Sequence, residues 1–178
     1  MEQNTNVWKA NLTNGLILGL IGIVYSLVIY FLNLSFNKVQ GYVFILLQIV
    51  IIYFLVKSYR DNFLHGFITY GQAFGAGVII FLYYAIVMAI FTYILYTVID
   101  TGLIDKQLAY TEEMMMKKGL AQAKLDAGMA VQSKIMKPEI LAPISIFGNM
   151  LWGIIISLVV GIFVRKEGNP LIETPLNQ

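Results

Sequence analysis

Residues 66–99 read GFITYGQAFGAGVIIFLYYAIVMAIFTYILYTVI and contain no Asp, Glu, Lys, Arg or His. A bilayer core about 30 Å thick requires about 20 apolar residues in a helix, and this stretch is long enough to cross it with a tilt. A buried helix of a soluble bundle would instead carry a polar stripe, and no charge interrupts the stretch before Asp100. We therefore predict a membrane-spanning helix at about residues 74–98.

Three further uncharged windows, residues 10–37, 39–56 and 140–164, surround this stretch, and together the four hold more than half of the 178 residues. The chain is 12% charged, whereas a soluble domain is about 25% charged. Because a backbone in lipid must satisfy its own hydrogen bonds, each window is expected to form a helix. The predicted fold class is all-α, an integral membrane four-helix bundle. Its predicted spans are residues 15–34, 42–59, 74–98 and 140–164, within a membrane domain of residues 1–166 that a polar C-terminal tail, 167–178, follows.

The orientation of the bundle follows from the positive charges next to the spans. Four spans place both termini on one side, where Lys57, Arg60, Arg165 and Lys166 lie close to span ends. Residues near the span ends dominate orientation, so we expect cytoplasmic termini although the third loop holds six lysines. The alternative of a cleaved signal peptide in the first window is weaker, because the run is long and no small-x-small cleavage site follows it.

The loop of residues 100–139 differs from the rest of the chain, with six acidic and six basic residues. Residues 107–136 are rich in helix formers, which predicts an extramembrane helical excursion between spans 3 and 4, broken near Gly119 or Gly128. The run Met114-Met115-Met116 is typical of a helix side that lies on the membrane or the bundle, or of an adaptable partner surface. A soft metal site is a further alternative, but three consecutive helical residues point in three directions and chelate poorly.

Small residues recur along three of the spans, and in lipid they allow helices to pack closely. We expect helix packing at these positions and the tightest helix crossing at Gly153 and Ser157, with a homodimer seam as the alternative. The predicted packing residues are Gly15, Gly19, Gly22, Gly71, Gly75, Gly153, Ser157 and Gly161.

The sequence offers little catalytic chemistry. The four windows lack the ionisable groups that pumps and transporters usually carry inside the membrane. Gln48 and Asn149 are expected to form hydrogen bonds between helices, with binding of a polar headgroup as the alternative. The chain has no cysteine and one histidine, His65, which excludes thiolate metal sites and leaves no Ser-His-acid set to argue. A net charge of +2 without clustered Lys and Arg does not indicate nucleic-acid binding. We predict no cofactor, no metal site and no enzymatic activity.

The most distinctive local pattern joins spans 2 and 3. Arg60 and Asp61 lie at the predicted water boundary and are expected to pair, or Arg60 to hold a lipid phosphate or a helix-terminal carbonyl. Thr69 and Gln72 have the spacing of a capping box at the start of the third helix.

With these residues the chain resembles the domain-of-unknown-function 4199 family of small bacterial membrane proteins. The resemblance rests on the Tyr-Arg-Asp step at 59–61, the Gly-x-Ile-x-Tyr-Gly-x-Ala-Phe stretch at 66–74, the charged helical loop and the fourth span ending in Arg165-Lys166. It covers most of residues 10–166. The resemblance implies a four-span inner-membrane protein without an assigned activity, so it provides no catalytic residues to transfer.

The predicted function is that of a structural or accessory component that binds membrane lipid or a membrane-protein partner. Arg60, Asp61 and the three methionines are its expected lipid or partner contacts. The alternative is a small oligomeric transporter of a lipid or small molecule, in which Gln48 and Asn149 line a hydrated cavity. A lipid enzyme is a third alternative, and it would require acids of the loop to converge with His65.

Overall fold

The computed structural model describes residues 6–167, and within them the fold is all-α, as predicted. Four of the helices are long and apolar enough to cross a membrane, which is the architecture of a multi-pass membrane protein. Two shorter helices lie between the third and fourth of these spans. The helices are α1 (Val7–Phe31), α2 (Lys38–Phe63), α3 (Tyr70–Ile94) with a π-helical turn (Leu95–Ile99), α4 (Leu103–Lys117), α5 (Gln122–Ile135) and α6 (Pro138–Val164). The predicted tail lies, except for Glu167, outside the described residues.

The first two spanning helices begin earlier than their uncharged windows suggested. The Asn6 side chain accepts a hydrogen bond from Trp8 N, so α1 begins at Val7. The Asn37 side chain caps α2 in the same way through Val39 N. Charge-free windows locate the apolar part of a helix, whereas the helix itself begins where a capping side chain satisfies its first N–H groups.

Helix α3 is the central helix of the bundle. It packs along α6 and α1, while α2 makes lighter contacts with α1, α3 and α6. Ile80, Phe81 and Tyr84 of α3 are at most 2% exposed. Apolar side chains on the outside of the bundle, such as Phe31 and Phe147, are 72% exposed, and in a bilayer this surface faces acyl chains.

Glycines of α1 allow this helix to approach α3 closely. A Cβ atom at Gly15 would overlap Tyr83, and one at Gly19 would lie 2.7 Å from Val87 Cγ1. A Cβ atom added at Gly22 would lie 2.9 Å from Tyr84 Cε2 and 2.9 Å from Met88 Sδ. All three predicted glycines of this helix therefore lie in its contact with α3.

The small residues of α6 also face α3. A Cβ at Gly153 would overlap the Phe81 side chain, and one at Gly161 would lie 3.1 Å from Tyr70. Ser157 lies against Gly77, where an added Cβ would be 2.5 Å from Ser157 Oγ. Gly153, Ser157 and Gly161 therefore lie in the contact of α6 with α3 of the same chain.

The expectation for Gly71 and Gly75 needs correction. A Cβ at either position would meet no neighbouring atom within 4 Å. The buried face of this part of α3 is formed by Ala73, Ala76 and Gly77 instead. Gly71 and Gly75 have the helical spacing of a packing pair, but they lie on a different face of α3 from the one that its neighbours cover.

The α4–α5 hairpin, defined here as residues 103–135, breaks at Gly119. This glycine has φ +70°, a left-handed conformation that glycine adopts without a steric penalty. Gly128, the other predicted break, lies inside α5, where an added Cβ would be 3.1 Å from Met115 Cε. It serves the packing of α5 against α4.

Candidate functional site

Arg60 and Asp61, near the end of α2, bond to each other, and Arg60 also bonds to the end of α6. Arg60 Nε donates to Asp61 Oδ1 at 2.7 Å, and Arg60 Nη1 donates to Val164 O at 3.1 Å. Val164 is the last residue of α6, so its carbonyl is one of those that a helix leaves unpaired. The Arg60 side chain is 14% exposed. Two of its three expected contacts, the carboxylate and the helix-terminal carbonyl, occur together.

The stretch before α3 also bonds to the end of α6. Ile68 N donates to Lys166 O at 2.8 Å, and Lys166 N donates to Ile68 O at 3.0 Å. Lys166 Nζ lies 5.5 Å from the centre of the Phe67 ring. The capping box of Thr69 and Gln72 is present as predicted. We call this end of the bundle, residues 57–73 with 164–167, the clasp end, because its distinctive residues connect helix termini.

Polar residues inside the bundle join helices as well. Gln48 is 5% exposed and its side chain faces the hydroxyl of Tyr84 on α3. Asn11 is fully buried and donates to Val7 O at 3.0 Å within α1, while Asn14 donates to Asn11 Oδ1 at 3.2 Å and to Leu55 O of α2 at 3.5 Å. Asn149 of α6 is half-buried. Neither Gln48 nor Asn149 lines the cleft at the opposite end of the bundle.

The opposite end of the bundle carries an open cleft between the α1–α2 loop and α4. It consists of two adjoining volumes of about 440 Å³ and about 200 Å³. Both volumes are lined by Ser35, Phe36, Gln40 and Gln107. We call it the loop-side cleft. Because it lies at the ends of α1 and α2, it opens where a bilayer places its polar headgroups.

Stacked aromatic rings form the walls of the loop-side cleft. The Phe36 and Tyr110 rings stack with centres 5.0 Å apart, and those of Tyr25 and Phe44 stack at 4.5 Å. The Tyr25 hydroxyl donates to Gln40 O at 2.7 Å. The cleft therefore combines flat apolar walls with amide and hydroxyl groups at its mouth, as ligand sites commonly do.

Asp100 fixes the helices beside this cleft. Its Oδ2 accepts hydrogen bonds from Lys106 Nζ at 2.9 Å and Tyr30 Oη at 3.1 Å, and its Oδ1 accepts one from Gly102 N at 3.0 Å. The hydrogen bond from Lys106 is the main cause that lowers the pKa of Asp100, and the Tyr30 hydroxyl lowers it further. The same carboxylate raises the pKa of Lys106. Asp100 thus joins α1, the end of α3 and the start of α4.

Helix α4 lies across the loop-side end of the bundle. Leu103 is buried, Gln107 Oε1 accepts from Tyr96 Oη at 2.9 Å, and Tyr110 stacks on Phe36. Residues 103, 107 and 110 share one face of a helix. Because that face contacts the bundle over about two turns, α4 rests on the bundle end and does not project from it.

The three methionines lie at the far end of α4 and differ in environment. Met115 packs on Gly128 of α5, Met114 is half-buried, and Met116 is 56% exposed. Within residues 6–167, His, Asp and Glu side chains do not gather in groups of three or more that could hold a metal ion.

The sequence did not single out the residues that build the loop-side cleft. Tyr25, Tyr30, Phe36, Tyr96 and Tyr110 are far apart along the chain, and only the fold brings them together. A weak signal existed, since aromatic residues next to polar loops favour the membrane–water boundary.

Comparison with protein families identifies a family to which most of the chain is similar. The model of a family described as "Protein of unknown function (DUF4199)" matches residues 13–166. No curated protein and no solved structure matches the chain. The matched range includes most of α1, the other three spans, the α4–α5 hairpin and the clasp end except Glu167.

Proposed function

Because the chain belongs to the DUF4199 family, to which no activity is assigned, we propose from its geometry that it is a non-catalytic accessory component of the bacterial inner membrane that binds membrane lipid at the loop-side cleft. Its termini lie on the cytoplasmic side in this proposal. A membrane-protein partner is the alternative occupant of the same end.

The loop-side cleft is the observation that carries the proposal. Its larger part, about 440 Å³, has the size of a small-molecule site and would hold part of a lipid. The amide of Gln40, the Nε2 of Gln107 and the hydroxyl of Ser35 offer hydrogen bonds to a headgroup or glycerol ester, while Oε1 of Gln107 is bonded to Tyr96. Lys38 lines the mouth and supplies positive charge for a phosphate. Phe36 and Tyr110 offer flat surfaces to the upper part of an acyl chain.

The distribution of polar residues supports placing the binding function at this end. Arg60 and Asp61 are engaged in the clasp, and Gln48 is turned towards Tyr84. These groups stabilise the bundle. The transporter alternative receives less support, because it requires Gln48 to face a hydrated cavity.

The test is retention of lipid by the full-length chain during purification in mild detergent, measured by native mass spectrometry. Phe36→Ala removes one wall of the cleft. Phe31→Ala is the matched control, since Phe31 is a 72% exposed phenylalanine at the same end of α1. We expect the wild type and Phe31→Ala to retain lipid and Phe36→Ala to lose it.

Two results would overturn the proposal. One is a wild-type chain that is recovered lipid-free and alone. The other is equal lipid retention by Phe36→Ala and Phe31→Ala when both variants unfold at the wild-type temperature. Recovery of a protein in place of lipid, lost on Phe36→Ala, would reject lipid as the occupant.

A further inference from the structure

Charge is separated along the α4–α5 hairpin and its flanks. Residues 100–113 hold four acidic residues and one lysine, whereas residues 114–137 hold five lysines and one aspartate. The basic half consists of the tip and α5, together with the residues that lead into α6. All five lysines are exposed, and they are Lys117, Lys118, Lys124, Lys134 and Lys137.

One face of α5 combines lysine with exposed apolar side chains. Val131 is 55% exposed and Ile135 is 37% exposed. Lys124, Val131 and Ile135 are separated by seven and four residues, so they lie on one side of the helix, with Gly128 and its contact to α4 at the edge of that side. We call these three residues the α5 basic face. A different face carries Asp126 and Ser133, where Gln122 Nε2 donates to Asp126 Oδ1 at 2.9 Å.

The position of α5 brings its C-terminal end close to the start of the spanning helix α6. Helix α4 rests on the bundle end, and α5 packs beside it, with Leu125 buried and Gly128 in contact with Met115. Only two residues separate Ile135 from Pro138, the first residue of the spanning helix α6. The α5 basic face therefore ends where a span enters the bilayer.

We infer that the α5 basic face lies on a bilayer surface that carries anionic phospholipid. Val131 and Ile135 would enter the boundary between headgroups and acyl chains, as the apolar face of an interfacial helix does. Lysine side chains bury their methylene stems and extend their ammonium groups to the phosphates. Asp126 and Ser133 would face water. The excess of lysine over acid in residues 114–137 is complementary to an anionic surface and selects it over a neutral one.

The absence of cysteine from the chain permits a direct test. Val131→Cys creates a single labelling position on the α5 basic face, and Ser133→Cys creates a matched control position on the water-facing side of the same helix. Each full-length protein carries an environment-sensitive fluorophore in nanodiscs of either zwitterionic lipid or a mixture with anionic phosphatidylglycerol. Contact is read as quenching by lipids with a nitroxide near the headgroup.

We expect the label at position 131 to be quenched in anionic discs more than in neutral ones, and the label at 133 to be quenched weakly in both. Lys124→Gln should lower the contact equilibrium constant about fivefold. Salt at 1 M, where the Debye length is about 3 Å, should reduce the difference between the two disc types.

Equal quenching at positions 131 and 133, or equal quenching at 131 in neutral and anionic discs, would overturn the inference. Shielding of position 131 in detergent without lipid would reject it in favour of a protein contact. The inference does not depend on lipid in the loop-side cleft, so Phe36→Ala should leave the quenching at 131 unchanged. Failure at the cleft and failure at α5 are thereby distinguishable.

Discussion

The crossing of α3 and α6 at Gly153 provides the sharpest test of how the bundle is held together. An added Cβ at this position would overlap the Phe81 side chain. Phe81 is 1% exposed. Its ring packs edge to face on the Tyr84 ring, with the ring centres 5.8 Å apart, so the Phe81 side chain has little room to move. Gly153→Leu must therefore separate the two helices or displace Phe81 from its packed position.

The expected cost follows from this overlap. Inserting extra methylene groups into a packed core costs about 1–3 kcal/mol, and leucine adds four carbon atoms where a single one already overlaps. Replacing glycine in a helix returns at most about 1 kcal/mol of helix propensity. We expect Gly153→Leu to lower the free energy of unfolding by about 2 kcal/mol or more, and Gly153→Ala by less.

Gly148 is a matched control on the same helix, because a Cβ at this glycine meets nothing within 4 Å. Unfolding of Gly153→Leu and Gly148→Leu would be compared in the same detergent by thermal denaturation and by titration with a denaturing detergent. We expect Gly148→Leu to unfold at or above the wild-type temperature. Equal stability of the two leucine variants would refute the assignment of Gly153 to the tight crossing.

Three further predictions concern polar contacts. Arg60→Ala should destabilise the chain by about 1.5–3 kcal/mol through loss of its charge-assisted bonds, including that to Val164 O, and unchanged thermal unfolding in detergent would contradict this. The lowered pKa of Asp100 means that its bonds stabilise the fold above the unfolded-state pKa of about 3.9 and are lost as the pH falls through the folded-state value. Between pH 7 and 3 the wild type should thus lose more stability than Asp100→Asn. Parallel curves of unfolding temperature against pH for the two proteins would contradict a stabilising role of the Asp100 carboxylate. Gln48→Leu and Tyr84→Phe should each destabilise by about 1–3 kcal/mol and the double variant by less than their sum, a coupling that strictly additive unfolding data would disprove.

The spans could be predicted because charge is excluded from lipid whatever the fold. Their exact ends could not, because Asn6 and Asn37 continue α1 and α2 beyond the apolar part by capping. The capping box at Thr69 was predictable, since both of its partners lie within one helical turn.

The packing residues were predictable only in part. Gly19 and Gly153 face α3 as their spacing indicated, whereas Gly71 and Gly75 do not pack. Spacing identifies a face of a helix, but the neighbouring helices decide which face they cover. The same limit applies to the loop-side cleft, where Tyr30 and Asp100 are 70 residues apart and meet only through the fold.

Polar groups at the clasp end bond within the chain, whereas the loop-side end has an open cleft and exposed lysines. This difference is the reason for placing the binding function at the loop-side end. At the clasp end, the side chain of Arg60 and the backbone of Ile68 and Lys166 bond to other parts of the chain. At the loop-side end, the chain builds an open cleft and exposes the lysines of α5. A polar group already bonded inside the protein must give up that bond before it binds a ligand, whereas an exposed lysine need not. Substitutions at the clasp end should therefore change stability with little effect on lipid contact, and substitutions of Phe36 in the cleft or of the lysines of α5 should change lipid contact with little effect on stability.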